Sequence, residues 1–332
     1  MTSIRFFNGH SMPLVGLGTW QSTNPEELEQ ALDAALEAGY RHIDTANFYR
    51  NEKIIGTVLK RWLDSGKIKR KELFIVTKLP PQGMRTEHVP HFLQLSLQNL
   101  QLDYIDLYLV HSPLGFHYFT DAQLDDPKLD PNSILDMKTD LESVWTTMEE
   151  QPANHQIELH AYFQRPELLK TCKKHNITIV AYAPIGSPGR KEFYETIGLN
   201  FKPITLLENP RVLEIALKHS KTPAQIVMKF LVQQDIAVIP KSTNLDRLRQ
   251  NLDLFSFELT PEEMLQLTAL DQGMRPDEHS TLPYFHQTLR TTLKVKKLTR
   301  TKLQDFEERN SNFGFTNNTP YRTSINSDTS YP

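Results

Sequence analysis

Short apolar, often β-branched runs alternate with capped amphipathic segments from the N-terminus to about residue 273, which restricts the chain to a parallel α/β fold. Residues 41–45, 73–78, 105–111, 156–160, 177–183 and 238–241 read as buried strands, with Val15–Gly18 a shorter strand at the front. Their apolar character is nearly continuous, as suits strands covered on both faces. The segments between them carry helix-boundary chemistry. Asn24 is placed to cap a helix with Pro25 at its first position, Glu26 and Glu27 in the first turn and Gly39 at the end; Leu28, Leu32, Ala35 and Leu36 form its apolar stripe. The same grammar recurs at Thr260, Pro261, Glu263 and Gly273. The 332 residues suffice for one large (β/α) barrel or two ordinary domains, and the strand count is seven.

Composition narrows the classes of function. A formal charge of −3 gives no global field to recruit nucleic acid or an anionic membrane. Cys172 is the single cysteine, so no internal disulfide forms, which fits a reducing, cytoplasmic setting. The first residues lack the pattern of a secretory signal, and no run is long and apolar enough to span a bilayer. No His/Cys cluster has the spacing of a metal site, so no metal is expected. The reading divides the chain into a barrel domain, 1–275, and an irregular or disordered tail, 276–332, rich in Thr, Ser, Asn and Pro. The tail's basic stretch 289–302 has no aromatic platform beside it and reads as a solvated segment rather than a nucleic-acid site.

Four positions at or just after strand ends can do chemistry together: Asp44 and Tyr49 after the second strand, Lys78 at the end of the third, His111 at the end of the fourth. In a (β/α) barrel these ends converge on one face. A phenol titrating near ~10 is a weak acid at neutral pH, and a neighbouring ammonium favours its ionised form. Asp44 would hold the ammonium and His111 would orient a carbonyl oxygen, so that Tyr49 could protonate that oxygen as hydride arrives. Each residue alone is more simply structural; the conjunction on three successive strands points to chemistry.

The motifs GLGTW, GYRHIDTANFYRNEKIIG, IVTKL, LYLVHSP, NHQIELHAYFQ, AYAPIGSPGR and IPKSTNLDRLRQN, in this order from about residue 4 to 273, resemble the aldo-keto reductase family. The resemblance implies a TIM-type (β/α) barrel that reduces aldehydes or ketones with NADPH, converting it to NADP+. It also implies a cytoplasmic monomer whose partner is a small carbonyl substrate, with no nucleic acid and no membrane. By the same resemblance Tyr49 is the general acid, Lys78 and Asp44 tune it, and His111 orients the substrate. Tyr182 stacks on the nicotinamide, Gln156 meets its carboxamide, and Gly18, Thr19 and Asp44 line the ribose. Lys241, Ser242, Thr243 and Asn244, with Arg247 and Asn251, match the adenosine end, where charge and donors at a strand-to-helix turn suit a 2′-phosphate. Trp20 and Phe48 resemble the aromatic wall of the substrate pocket. Ser112 stands where the family often has tryptophan, and Leu79-Pro80-Pro81 also departs from the common pattern, so a steroid or sugar preference does not carry over. The loop from Leu114 to about Pro131 is expected to close over the site.

One departure is large. In the family a further strand, ending in Ser-Asn-Phe, and a helix stand between the helix holding Trp145 and the NHQIELH strand; here the two are joined directly near residues 151–152. Roughly 30 residues, about one βα unit, are missing. The expected architecture is therefore an incomplete barrel of about seven strands, with exposed edges or a tighter closure. The tail is not expected to supply the lost strand. The lost Ser-Asn pair would hold the nicotinamide beside Gln156, so the alternative to an active reductase is a catalytically impaired NADPH-binding pseudoenzyme or shortened splice-type variant.

Overall fold

The computed structural model describes residues 2–117, 135–148, 153–196, 203–273 and 291–292. The chain divides into Met1–Lys297 and Leu298–Pro332, and the second unit lies outside the described residues. In the first, β1 (Ser3–Arg5) and β2 (Ser11–Pro13) form an antiparallel hairpin. The main sheet is built from β3 (Leu17–Gly18), β4 (His42–Asp44), β5 (Phe74–Leu79) and β6 (Leu107–Val110). A small ribbon, β7 (Gly115–Phe116) with β8 (Leu135–Asp136), follows. The sheet then resumes with β9 (Asn154–Glu158), β10 (Thr178–Tyr182) and β11 (Ile236–Val238), and takes in β12 (Thr291–Thr292).

The order across this sheet is β11-β10-β9-β12-β6-β5-β4-β3. Every neighbouring pair is parallel except those made by β12, which runs antiparallel to both β6 and β9. The seven parallel strands agree with the count read from the sequence. The end strands β3 and β11 meet through two isolated parallel bridges, Val15–Val238 and Gly18–Lys241, so the ladder does not close without a break. Gly18 permits this approach: a Cβ there would lie 2.5 Å from the Ile239 carbonyl oxygen. All residues of β5, β6 and β9 are buried, as a parallel sheet covered on both faces requires.

The helix-start signals and Gly39 have direct counterparts, whereas helix Pro261–Thr268 is ended by Ala269, before Gly273. Asn24 accepts a hydrogen bond from the Glu27 amide, and Gly39 ends helix Pro25–Ala38 in the left-handed region at φ 107°. Thr260 and Glu263 complete a reciprocal capping box at the start of helix Pro261–Thr268.

Three details differ from the expectations. The strand read at 238–241 is Ile236–Val238, because Pro240 has no amide hydrogen to continue the ladder and Lys241 contributes only its bridge to Gly18. The strand read at 156–160 begins at Asn154, whose buried side chain donates to the Thr178 hydroxyl and so satisfies a polar residue at a core position. The tail also reaches the sheet. Thr291 and Thr292 lie opposite His155 and Asn154 on β9, and Thr292 lies opposite Leu109 on β6. These two edges are the ones that the missing unit would leave unpaired, and unpaired strand edges attract any extended segment that can reach them. The junction near 151–152 and the remainder of 276–332 lie outside the described residues.

Candidate active site

Lys78 occupies the fifth of six buried positions in β5 and is itself fully buried. A lysine in that position needs a partner, since an isolated buried ammonium is very costly. Its Nζ lies 2.6 Å from Asp44 Oδ1 and also donates to the Thr45 carbonyl oxygen at 2.7 Å. Asp44 ends the adjacent parallel strand, β4, and is equally buried. Its other oxygen, Oδ2, accepts from Gln156 Nε2 at 2.6 Å. Gln156 lies on β9, so this contact joins strands that are not neighbours in the sheet.

Tyr49 follows on a single 3₁₀ turn, Asn47–Tyr49, ended by Arg50 in the left-handed region. The turn puts the Tyr49 ring against this cluster: Lys78 Nζ is 4.9 Å from its centroid, and the His111 ring stands edge-on to it at 5.4 Å. Phe48, largely exposed, makes a second edge-on contact with His111 at 5.9 Å. Asp44, Tyr49, Lys78, His111 and Phe48, chosen from the sequence, are thus brought together, with Gln156 linked through Asp44. Two residues before Asp44, His42 is held towards its neutral form. Burial lowers its pKa by more than Asp44 and its contact with the Pro13 carbonyl raise it, and Lys78 acts in the same direction as burial.

The first turn after β3 is tied to the same place. Both the amide and the hydroxyl of Thr19 donate to the Asp44 carbonyl oxygen. Asn51 Nδ2 donates to the carbonyls of Thr19 and Ser22, while its Oδ1 accepts from the Thr45 hydroxyl. Asn51, Thr45, the buried Glu52 and Thr77, which donates to Glu52, were not singled out from the sequence although the HIDTANFYRNE motif contains three of the four. Their roles lie in packing the turn that carries Tyr49, and in the sequence they read as ordinary polar residues. Trp20, the remaining wall residue, is half-buried immediately after this turn.

The residues assigned to a dinucleotide fall on several elements: Gly18 on β3, Asp44 on β4, Gln156 on β9 and Tyr182 on β10, with Lys241 to Asn251 following β11. Gly18 and Lys241 form one of the bridges, Tyr182 ends β10, and Ser242 and Asn251 are buried. Asn244 caps helix Leu245–Leu252 by accepting from the Arg247 amide, and Ser242 Oγ accepts from the Asn244 amide. Lys241 and Arg247 are exposed at this helix N-terminus, with Thr243 half-buried between them. Two cations beside an N-terminal turn form a donor set suited to a phosphate group.

The loop expected over the site is described only at its ends. Gly115–Phe116 pairs with Leu135–Asp136, while 118–134 lies outside the described residues. Arg85 donates to Asp136 at 2.7 Å and, with the Lys138 amide, holds that carboxyl below its usual range despite burial. Among the described residues no group of His, Cys, Asp and Glu has metal-site geometry, and no helix is long and apolar enough to cross a membrane.

A family model described as "Aldo/keto reductase family" matches residues 14–151 and 136–272, in two pieces that overlap. Prostaglandin F synthase 2 of Bos taurus is 33% identical over 308 residues, covering 82% of this chain and 92% of the relative. Aldo-keto reductase family 1 member A1 of Mus musculus is 36% identical over 304 residues, covering 82% and 90%. Among solved structures, the aldose reductase of Schistosoma japonicum superposes with a TM-score of 0.74 at 34% identity, covering 87% of this chain and 98% of that one. The family and this neighbour imply a TIM barrel as the parent architecture, here seen as a parallel sheet with an open ladder. This chain belongs to the aldo/keto reductase family, whose members are oxidoreductases that reduce carbonyl compounds.

Proposed function

We propose that this chain reduces an aldehyde or ketone to the alcohol with NADPH, Tyr49 acting as the proton donor. The observation that carries the reading is the convergence on one phenol ring: a buried, carboxylate-held ammonium 4.9 Å from its centroid and an imidazole 5.4 Å from it. When bound, NADPH supplies a hydride to the carbonyl carbon. The π pair of the carbonyl bond then becomes charge on oxygen, and the Tyr49 hydroxyl gives that oxygen its proton. The phenolate left behind is stabilised by the Lys78 ammonium, whose position is fixed by Asp44 and the Thr45 carbonyl. His111 faces the same ring and would orient the carbonyl oxygen towards it. Lys241, Ser242 and Arg247 would hold the 2′-phosphate, which favours NADPH over NADH. Trp20 and Phe48 would line the substrate pocket.

One observation favours a weaker second reading, an NADPH-binding chain of impaired activity: the place of one parallel strand is taken by an antiparallel pair of residues from the tail. A misplaced hydride donor costs about 100-fold in rate. Purified protein is mixed with NADPH and an aromatic aldehyde, following cofactor fluorescence for binding and absorbance for oxidation. The reductase reading expects oxidation that falls by about 100-fold or more in Tyr49→Phe. Cofactor binding with no oxidation above the Tyr49→Phe rate would establish the impaired form instead.

A further inference from the structure

In a strand, alternate residues share a face, so Asn154, Gln156 and Glu158 of β9 point the same way. All three are polar, all are buried, and each has a partner there: Thr178, Asp44 and Arg190 respectively. The opposite face carries His155 and Ile157, with His155 Nδ1 3.8 Å from Cys172 Sγ on helix Pro166–Lys174. A buried strand therefore turns a polar row towards the catalytic cluster, and the middle member of that row touches the carboxylate that holds Lys78.

We propose that Gln156 is a positioning residue for the proton donor: its amide braces Asp44 and thereby holds Lys78 in place beside Tyr49. The inference rests on the reductase reading and adds a role for Gln156 distinct from contact with a nicotinamide. Asp44 is almost without solvent, so protein donors must satisfy its carboxylate. Each oxygen has one donor at 2.6 Å: the ammonium on Oδ1 and the amide on Oδ2. With both oxygens held, the carboxylate cannot swing about its Cβ–Cγ bond. With Oδ2 released it can, and the ammonium follows. A neutral amide is the suitable brace. It donates without adding charge, so the Lys78–Asp44 pair stays balanced, and its carbonyl oxygen leaves it chemically able to serve a cofactor carboxamide as well. Among the described residues, the charged and titratable groups around the phenol and its ion pair are Asp44 and the buried His42 on β4, Lys78 on β5 and His111 just past β6; Glu52 is turned instead to Thr77, Asn47 and Asn99.

Gln156→Met keeps the approximate volume and removes the donor. The Asp44 charge is then less compensated and opposes the phenolate that proton transfer leaves. The alkaline fall in kcat should therefore move to higher pH by roughly half a unit to one unit, with kcat lowered about tenfold and the aldehyde KM changed far less. A side chain that only seats the cofactor would alter NADPH affinity and leave this pH profile in place. A second readout needs no turnover: urea unfolding of the cofactor-free wild type, Gln156→Met, Asp44→Asn and the double variant. The brace predicts coupling of about tenfold in the unfolding equilibrium constant. Independent effects, or weaker NADPH binding with an unmoved alkaline limb, would overturn it. A wild type that oxidises no NADPH yet keeps the coupling would overturn the reductase reading while supporting the brace.

Discussion

Replacing Lys78 by methionine separates what the cluster does for the fold from what it does for chemistry. The side chain is fully buried and its partner Asp44 is 3% exposed, so water cannot take over when the ammonium is removed. Breaking a buried ion pair by removing one partner costs about 3–5 kcal/mol, because the other charge is left uncompensated. Here Gln156 still donates to Oδ2 and offsets part of that, which puts the expected loss near the lower figure, about 3 kcal/mol. Domains of ordinary stability have about 5–15 kcal/mol in all, so the variant should fold but unfold at about 1 M less urea. Turnover should fall by at least the ~100-fold expected for losing the proton donor. The companion Lys78→Met/Asp44→Asn has no orphaned charge. It should regain most of the lost urea midpoint and none of the turnover. The assay is urea unfolding followed by circular dichroism, beside NADPH oxidation with an aromatic aldehyde. A single variant that unfolds at the wild-type midpoint, or a double variant that recovers turnover, would refute the ion-pair argument.

Two further outcomes follow from other parts of the fold. Thr292→Pro introduces a residue without an amide hydrogen into a strand paired on both sides, so amide exchange at Leu109, Asn154 and His155 should speed up about tenfold or more. Unchanged exchange at those amides would mean that the tail does not pair there. Glu263 is buried, which alone would raise its pKa, but Lys218, the Thr260 amide and His219 together hold it down at about 2 against an ordinary 4.5. A depressed carboxyl stabilises the fold above its unfolded pKa and loses that contribution as pH falls from about 4.5 towards 2. Allowing for the exposed Lys218, about 2 kcal/mol is involved. Glu263→Gln should therefore flatten the acid side of the urea stability curve, and an identical acid slope in both proteins would reject this.

Much of the site was legible because its residues are costly anywhere else. A lysine inside IVTKL and an aspartate inside HIDT, both in otherwise apolar buried strands, imply each other. Helix ends were legible for a similar reason, since Asn24-Pro25 and Thr260-Pro261 satisfy local donors by local chemistry. Long-range pairings were not. Nothing in the local pattern says that Gln156 crosses to Asp44, that Gly18 meets Lys241, or that two threonines of a polar tail take a place in the sheet. The start of β9 was missed because Asn154 and His155 look like loop residues until their buried partners, Thr178 and Cys172, are known. Strand ends at Pro240 were misjudged by weighing apolar character above the missing amide.

The position of β12 bears on whether a barrel short of one unit can retain its chemistry. His111 follows β6 and Gln156 lies on β9, and neighbouring strands sit about 4.8 Å apart. If β6 and β9 closed on each other, every group on β9 to β11 would move towards β6 by one such spacing. The 2.6 Å contact between Gln156 and Asp44 tolerates no displacement of that size. If the gap stayed open, two strand edges with buried flanks would lack partners. A single inserted strand avoids both outcomes, and its described residues, Thr291 and Thr292, stand opposite Leu109, Asn154 and His155. The described residues of the insert run antiparallel to both neighbours, a pairing that needs no βα crossover. On the reading that one βα unit is absent, the insert would not supply the Ser-Asn pair that the family resemblance places on that strand. The cluster around Tyr49 thus keeps both its spacing and its Gln156–Asp44 contact, and on the proposed reductase reading a catalytic deficit is expected in cofactor seating rather than in proton transfer.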